Sequence, residues 1–420
     1  MSGNGKPGKI LVVGGGISGM TTAIEASEAG CEVVLVEKNP SVGGRVTQMY
    51  QYFPKLCPPV CGLEINTRRL RAEDNIRTIT TAEVEKITGE PGNYTVTVRH
   101  NPRGVNEKCT NCGACSDVCP VERPNDYNYG LDKTKAIYLP FEAAWPPRFA
   151  IDFNSCEGSS CGKCVEVCEY QAIDLDAKAT TEDIEVAAVV FATGWEPYNA
   201  ANIENLGFGK YPNVVTNVMM ERMAALTGPT GGQIKRPSDG KDIESVAFVQ
   251  CAGSRDENYL SHCSGVCCSA TLKQTTYLRE QYPDAQIYIF YIDIRTPGRL
   301  EDFYVDRQAD EKLTLIKGKV AKIEEAAATG NLTVEAEDTI GGSRIRQEVG
   351  LVVLATGMVP SAIEAQLPSE LVKDEHGFLV AEQAQPGLLA AGCAKRPVDV
   401  ATSVRDATGT ALKALQNRVR

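Results

Sequence analysis

A chain of 420 residues, 43% of them apolar, has room for two or three domains and a sizeable core. Its 43 Lys and Arg against 54 Asp and Glu leave a net charge of −11, which argues against a nucleic-acid footprint or an anionic-membrane patch. Apolar runs fall short of the ~18 residues that span a bilayer, and the polar N-terminus has no signal-peptide character, so a soluble cytoplasmic chain is expected.

The first element is read at residues 9 to 37. Ile10-Leu11-Val12-Val13 is the kind of apolar run that forms a buried parallel strand. It leads into Gly14-Gly15-Gly16-Ile17-Ser18-Gly19, which satisfies G-x-G-x-x-G. Helical spacing follows through Met20, Ala23 and Ile24, and Gly30 is placed to end the helix. A second strand closes on Glu37, 18 residues after Gly19. Gly14 permits a tight turn, Gly16 admits a pyrophosphate to the backbone, and Gly19 lets helix and strand pack closely. The helix start favours a diphosphate, and the acid stands where a ribose hydroxyl is bound.

Gly43-Gly44-Arg45 follows at the short distance that suits FAD. Two later runs match each other, Val189 to Gly194 and Val352 to Gly357, each an apolar strand ending in Ala-Thr-Gly. The pairing resembles the thioredoxin reductase class of two-dinucleotide-domain flavoproteins, in which such strands return to the FAD domain. The expected fold is therefore α/β, with FAD contacts at Gly14, Gly16, Ser18, Gly19, Glu37, Lys38, Gly44, Arg45, Ala192, Thr193, Gly194, Thr356, Gly357 and Gly392.

Sixteen cysteines in a cytoplasmic chain point to metal ligands or redox thiols rather than disulfides. Cys57 and Cys61, held by Pro58-Pro59, admit three readings: a redox dithiol facing the flavin, a pair of cluster ligands, or a packed turn. Residues 93 to 99 alternate as an antiparallel strand.

Cys109-x2-Cys112-x2-Cys115-x3-Cys119-Pro120 is the run of bacterial ferredoxins. Its partner is Cys156-x4-Cys161-x2-Cys164-x3-Cys168, with a wider first gap and Glu169 in place of proline. Crossed ligation of such pairs gives one [4Fe-4S] cluster on Cys109, Cys112, Cys115 and Cys168, and another on Cys156, Cys161, Cys164 and Cys119. Zinc is the competing ligand set for paired C-x2-C motifs. The Pro-, Tyr- and Asn-rich residues 121 to 155 suggest a surface excursion able to meet a partner. The stretch 199 to 240 reads as irregular.

A buried strand at residues 245 to 250 should open an NAD(P)H domain with a second glycine motif. It runs instead into Cys251, then Cys263-x3-Cys267-Cys268 and a helix through Leu272 and Tyr277. Cysteines where phosphate-cradling glycines belong leave no seat for a nicotinamide dinucleotide. The four thiols could hold a third iron–sulfur cluster, form a labile disulfide, or remain free. The expected organisation is an FAD domain in three parts (1–100, 181–244, 346–420), a ferredoxin-like insert (101–180) and a degenerate NAD(P)H-like domain (245–345).

Residues 251 to 258 and 267 to 274 resemble the heterodisulfide reductase A (HdrA) family. Residues 52 to 66, 228 to 232, 236 to 240 and 390 to 395 resemble its branch in quinone-interacting membrane-bound oxidoreductase (Qmo) complexes. The resemblance implies an FAD-bearing oxidoreductase subunit that links the menaquinone pool to adenylylsulfate (APS) reductase. Its implied partners are a second HdrA-like flavoprotein and a haem-bearing membrane subunit, through which it would lie at the cytoplasmic membrane. The family carries a [4Fe-4S] cluster on cysteines matching Cys251, Cys263, Cys267 and Cys268, and a lysine near flavin N5 matching Lys273. Cys393 follows Gly392 where many relatives have an aspartate, and residues 399 to 411 are expected to form a helix facing the flavin. The competing reading is an NAD(P)H-dependent reductase like the glutamate synthase small subunit. His100, His262 and His376 are scattered in sequence, with His262 beside Cys263.

Overall fold

Ile10–Val13 (β1), Ile17–Glu28 (α1) and Val33–Glu37 (β2) form the unit on which the first domain is built. The structure, a computed structural model, describes residues 8–53, 55–363, 365–367, 371–380 and 386–417; most of the N-terminal stretch read for a leader lies outside them. Both strands are buried because apolar side chains alternate onto two covered faces. Pro59–Ala72 (α2) leads to Ile76–Thr80 (β3), and then to the hairpin Ala82–Glu90 (β4) and Asn93–His100 (β5).

The insert contains Ala114–Asp117 (α3), Glu122–Pro124 (β6), Lys133–Lys135 (β7), Ile137–Tyr138 (β8), Ala150–Ile151 (β9) and Lys163–Val167 (α4). Its small core gathers Val105, Cys115, Ile137, Phe149 and Ile151, with Cys109, Cys119, Cys156, Cys164 and Cys168 packed against it. Thr180–Val186 (β10), Ala188–Phe191 (β11) and Trp195–Pro197 (β12) bring the chain back.

The second domain runs through Val214–Thr216 (β13), Asn217–Ala224 (α5), Ser245–Ala252 (β14), Cys267–Gln281 (α6), Gln286–Tyr291 (β15), Leu300–Gln308 (α7) and Leu313–Lys317 (β16). Val320–Glu325 (β17), Leu332–Asp338 (β18) and Ser343–Val349 (β19) form an antiparallel sheet before Leu351–Thr356 (β20) and Met358–Pro360 (β21). Leu388–Ala390 (β22) and Val400–Asn417 (α8) end the described chain.

Two five-stranded parallel sheets result. The first is ordered β22-β11-β1-β2-β3, with α1 and α8 on one face and the β10-β5-β4 sheet on the other. The second is ordered β13-β20-β14-β15-β16. The antiparallel pair β12–β21 joins them where the chain leaves one domain and returns.

Three expectations are corrected. Val352 to Gly357 does not return to the FAD sheet: β20 lies between β13 and β14 and completes the second domain, so the domain reaches past residue 345. Only β11 of the two matched runs enters the first sheet. The irregular stretch 199 to 240 contains β13 and α5, whose Thr216 side chain caps the helix by accepting from the Met219 N–H. Residues 121 to 155 are no free excursion. Tyr127 donates its hydroxyl to the Thr47 carbonyl at 2.6 Å, and Gln48 donates to the Tyr127 carbonyl at 3.0 Å. Tyrosine has an apolar body to bury and a hydroxyl that finds a partner, which turns the segment inward.

Candidate functional site

A cavity of about 1410 Å³ runs between the first sheet, the insert and the second domain. At one end lie Gly14, Gly16, Ile17 and Ser18, where β1 turns into α1. Gly14 has φ of +104°, and a Cβ there would stand 2.4 Å from the Ala192 carbonyl oxygen. Gly16 caps α1 without any side-chain hydrogen bond, so N–H groups of the first turn remain for an anion. Gly44 approaches so closely that its Cβ would lie 2.8 Å from the Gly16 Cα. The cradle therefore fits a diphosphate approaching the backbone.

Glu37, Lys38, Gly44, Arg45, Ala192, Thr193 and Gly194 line the same cavity. Glu37 is buried and accepts from the Gly15 N–H at 2.5 Å and the Asn39 N–H at 2.8 Å. Burial pushes its carboxyl above the usual range, while those N–H donors pull it back. Arg45 pairs with Glu196 and donates from Nε to the Trp195 carbonyl at 2.6 Å, tying the flavin loop to the interdomain hinge.

Four predicted contacts stand off the cavity walls. Gly19 faces the Gly14 carbonyl, which its Cβ would meet at 1.8 Å, so it serves close packing. Gly392 is held by the Asp406 carboxylate, which accepts its N–H at 2.7 Å; this acid comes from α8 rather than from the strand end. Thr356 and Gly357 lie against the cysteine loop instead. The Cys267 thiol donates to the Thr356 carbonyl at 3.5 Å, and a Cβ on Gly357 would meet the Ser254 Oγ at 2.2 Å. Asp399, Val400, Thr402 and Ser403 at the start of α8 line the cavity, as does Cys393.

The far end of the cavity is formed by α5 and α6. Gly265, Val266, Ser269, Ala270 and Lys273 are on its wall, so the helix that begins with Cys267 and Cys268 faces the cavity one turn later. Lys273 is 1% exposed and pairs with Glu221 of α5 at 2.8 Å. Glu221 also accepts from the Tyr50 N–H, the Gln274 amide and the Tyr277 hydroxyl. Sequence reading missed Glu221, because an acid inside a short apolar helix carries no motif. It also missed Tyr127, Tyr129 and Phe141 of the insert, which form another wall.

Cys251, Cys263, Cys267 and Cys268 come together between β14 and α6. Burial raises the Cys251 thiol to about 11, with the charge of Cys268 adding to it. Cys267 is raised by burial and by Cys268, Cys251 and Cys263 in turn. Cys251 has φ of +56° and Arg255 of +57°, both rare for residues with a side chain. Arg255 pairs with Asp293, and Arg295 is held protonated first by the charge of Cys263 and then by Asp293. Burial and mutual repulsion oppose ionisation of Cys251 and Cys267, so the donor chemistry suits a cationic group that would bind the thiols deprotonated. His262 and His376 are not scattered in space: their rings lie 4.6 Å apart beside this loop.

In the insert, Cys119, Cys156, Cys161 and Cys164 line one small cavity under Ile137, Ile151 and Leu175. The thiol of Cys115 is raised by burial to about 12, with Cys109, Cys164 and Cys112 contributing repulsion. No three His, Cys, Asp or Glu side chains among the described residues converge as for a single metal ion. A four-iron cubane takes four cysteine thiolates at its corners, and four cysteines line this cavity.

Cys57 and Cys61 are both exposed and off the cavity wall, so the structure does not bring them to the flavin site. No helix of the described residues is long and apolar enough to cross a membrane.

A family model described as FAD dependent oxidoreductase matches residues 9–106, and one described as 4Fe-4S dicluster domain matches residues 105–172. The second of two A-type iron-sulfur subunits of CoB–CoM heterodisulfide reductase in Methanopyrus kandleri is 40% identical over 419 residues, covering 97% of this chain and 64% of that protein. The A-type subunit of the ferredoxin:CoB–CoM heterodisulfide reductase of Methanosarcina mazei is 38% identical over 421 residues, covering 97% and 53%. The chain thus spans between half and two thirds of the length of these relatives. The thioredoxin reductase of T. acidophilum superposes with a TM-score of 0.54 at 12% identity over 98% of each chain, a likeness of fold. These matches, over the glycine cradle and the cysteine groups just described, make the chain a member of the heterodisulfide reductase A (HdrA) family: an FAD-dependent oxidoreductase of thioredoxin-reductase-like fold with a 4Fe-4S dicluster domain.

Proposed function

We propose that this chain is an electron-transfer subunit that holds FAD in the large cavity and three iron–sulfur clusters at its cysteine groups. The observation that carries the reading is the position of α6. Its first residues, Cys267 and Cys268, belong to the thiol quartet, while Ser269, Ala270 and Lys273 line the cavity wall. A cluster there adjoins the flavin, at the place where a nicotinamide would otherwise dock. FAD exchanges two electrons and each cluster one, so the protein works as a two-to-one electron junction.

The residues divide the work. Gly14, Gly16, Ser18, Gly44 and Arg45 bind the dinucleotide, and Glu37 meets its ribose. Lys273, held by Glu221 and by the Gln51 carbonyl, places an ammonium at the flavin end, favouring negative charge there. Cys109, Cys112, Cys115 and Cys168 hold one insert cluster; Cys119, Cys156, Cys161 and Cys164 hold the other. Cys251, Cys263, Cys267 and Cys268 hold the third.

In its finer form, the reading places the protein in a quinone-interacting complex, exchanging electrons between the menaquinone pool and APS reductase. Its partners would be an HdrA-like flavoprotein and a haem-bearing membrane subunit. The sequence strings at 52 to 66, 228 to 232 and 236 to 240 support this branch, and the matched relatives are named as subunits of heterodisulfide reductases.

The test compares iron and flavin in the purified chain with a Cys267→Ala, Cys268→Ala variant. Loss of roughly four irons with flavin retained is expected from four-thiolate ligation. Unchanged iron removes the third cluster. Rapid bleaching of the flavin by NADPH, without any partner, would replace the electron-junction reading with a pyridine-nucleotide reductase.

A further inference from the structure

The insert exposes apolar side chains beside its half-buried thiols. Val118 is 38% exposed, Val165 44% and Tyr170 46%. Val118 adjoins Cys119 and Val165 adjoins Cys164, and those two cysteines line the same cavity. Both valines are thus chain neighbours of cysteines that line one cavity. Tyr170 follows Cys168 by two residues. Elements α3 and α4, which carry or flank the two valines, pack together. Isolated exposed valines need no explanation, but several exposed apolar residues flanking cysteines of one cavity suit a contact surface.

The surrounding charge has one dominant sign. Asp117 of α3, Glu166 of α4 and Glu169 just after it are exposed, against Lys163 of α4. None of these four forms an ion pair within 4.0 Å among the described residues, so the acids are free to meet an incoming partner. Electron-transfer complexes are small and short-lived, and they rely on an apolar centre with a complementary charged rim.

We propose that this face of the insert docks a basic electron-carrier protein, one with lysines or arginines around an apolar patch at its redox centre. The proposal rests on reading the insert as the holder of two clusters. In the transfer no bond forms or breaks: one electron leaves a reduced centre of the insert and converts a ferric haem of the partner to ferrous.

The test measures binding of the full holo-chain to ferricytochrome c, whose haem edge has a lysine rim, with an acidic plant-type ferredoxin for contrast. At low salt, Glu166→Lys with Glu169→Lys is expected to weaken cytochrome binding roughly tenfold, and added salt to weaken the wild type in the same way. Val118→Ser with Val165→Ser is expected to weaken binding without changing the salt dependence. Carbodiimide coupling should join Glu166 or Glu169 to cytochrome lysines. Glu64→Lys on α2 is the control for net charge. The proposal fails if Glu64→Lys weakens binding as much as the insert variants, or if the ferredoxin binds as tightly as the cytochrome. Iron content separates the two readings: an iron-free insert sinks the cluster assignment, whereas full iron with unaltered binding sinks the docking face.

Discussion

The Lys273 ammonium lies 2.8 Å from a Glu221 oxygen and donates to the Gln51 carbonyl at 2.7 Å, linking α6, α5 and the loop after Arg45 at the flavin end of the cavity. Burial, then the charge of Glu221, holds the Tyr277 phenol above its usual value, so it stays a donor to that carboxylate. Lys273→Met leaves the Glu221 carboxylate buried without its cation and should cost about 3–5 kcal/mol in urea unfolding. Adding Glu221→Gln should recover part of the loss. Two additive losses would show that the pair is not coupled.

Gly19 has no room for a methyl group: its Cβ would lie 1.8 Å from the Gly14 carbonyl oxygen. Gly19→Ala must push α1 away from β1 and open the diphosphate cradle. The variant should purify with little flavin, read from its visible absorbance, and lose about 1–3 kcal/mol from overpacking. Full flavin content would refute the cradle.

Burial raises the Glu37 carboxyl, so between the ordinary carboxylate range and its folded value the native state binds more protons than the unfolded chain. Its contribution to stability is therefore complete at low pH and declines as pH rises through the folded value, by at most about 1.4 kcal/mol per pH unit for one proton. Unfolding of the flavin-free chain across mildly acidic to neutral pH should show this slope, and Glu37→Gln should flatten it. An identical slope in both proteins would rule the assignment out.

Arg222 and Asn128 are buried, and the Arg222 Nε donates to the Asn128 Oδ1 at 2.8 Å across the boundary of insert and second domain. Asn128→Ala should cost about 1.5–3 kcal/mol, the range for a hydrogen bond to a charged group. Asn128→Asp keeps an acceptor and should cost less. If the alanine variant unfolds at the wild-type urea midpoint, the insert is not anchored through this pair.

Local chemistry made parts of this architecture readable. A strand, a glycine turn and a helix within 20 residues form contacts among near neighbours, so Gly14, Gly16 and Glu37 were identifiable before any fold was known. Cysteine spacing is legible for the same reason, since three thiolates of one cluster come from a single loop. The strand Leu351–Thr356 misled because its apolar run fits either parallel sheet, and its pairing with β13 and β14 depends on partners far away in the chain, such as Val214 for Val352 and Val246 for Leu351.

The sequence by itself determined the dinucleotide cradle, the ferredoxin-type cysteine runs and the loss of the second glycine motif, all of which are written in short-range spacing. Only the tertiary structure decided that residues 121 to 155 fold inward onto Thr47 and Gln48, and that Glu221 meets Lys273. Those contacts join segments far apart in the chain, where burial and charge pairing choose among partners that no local pattern distinguishes.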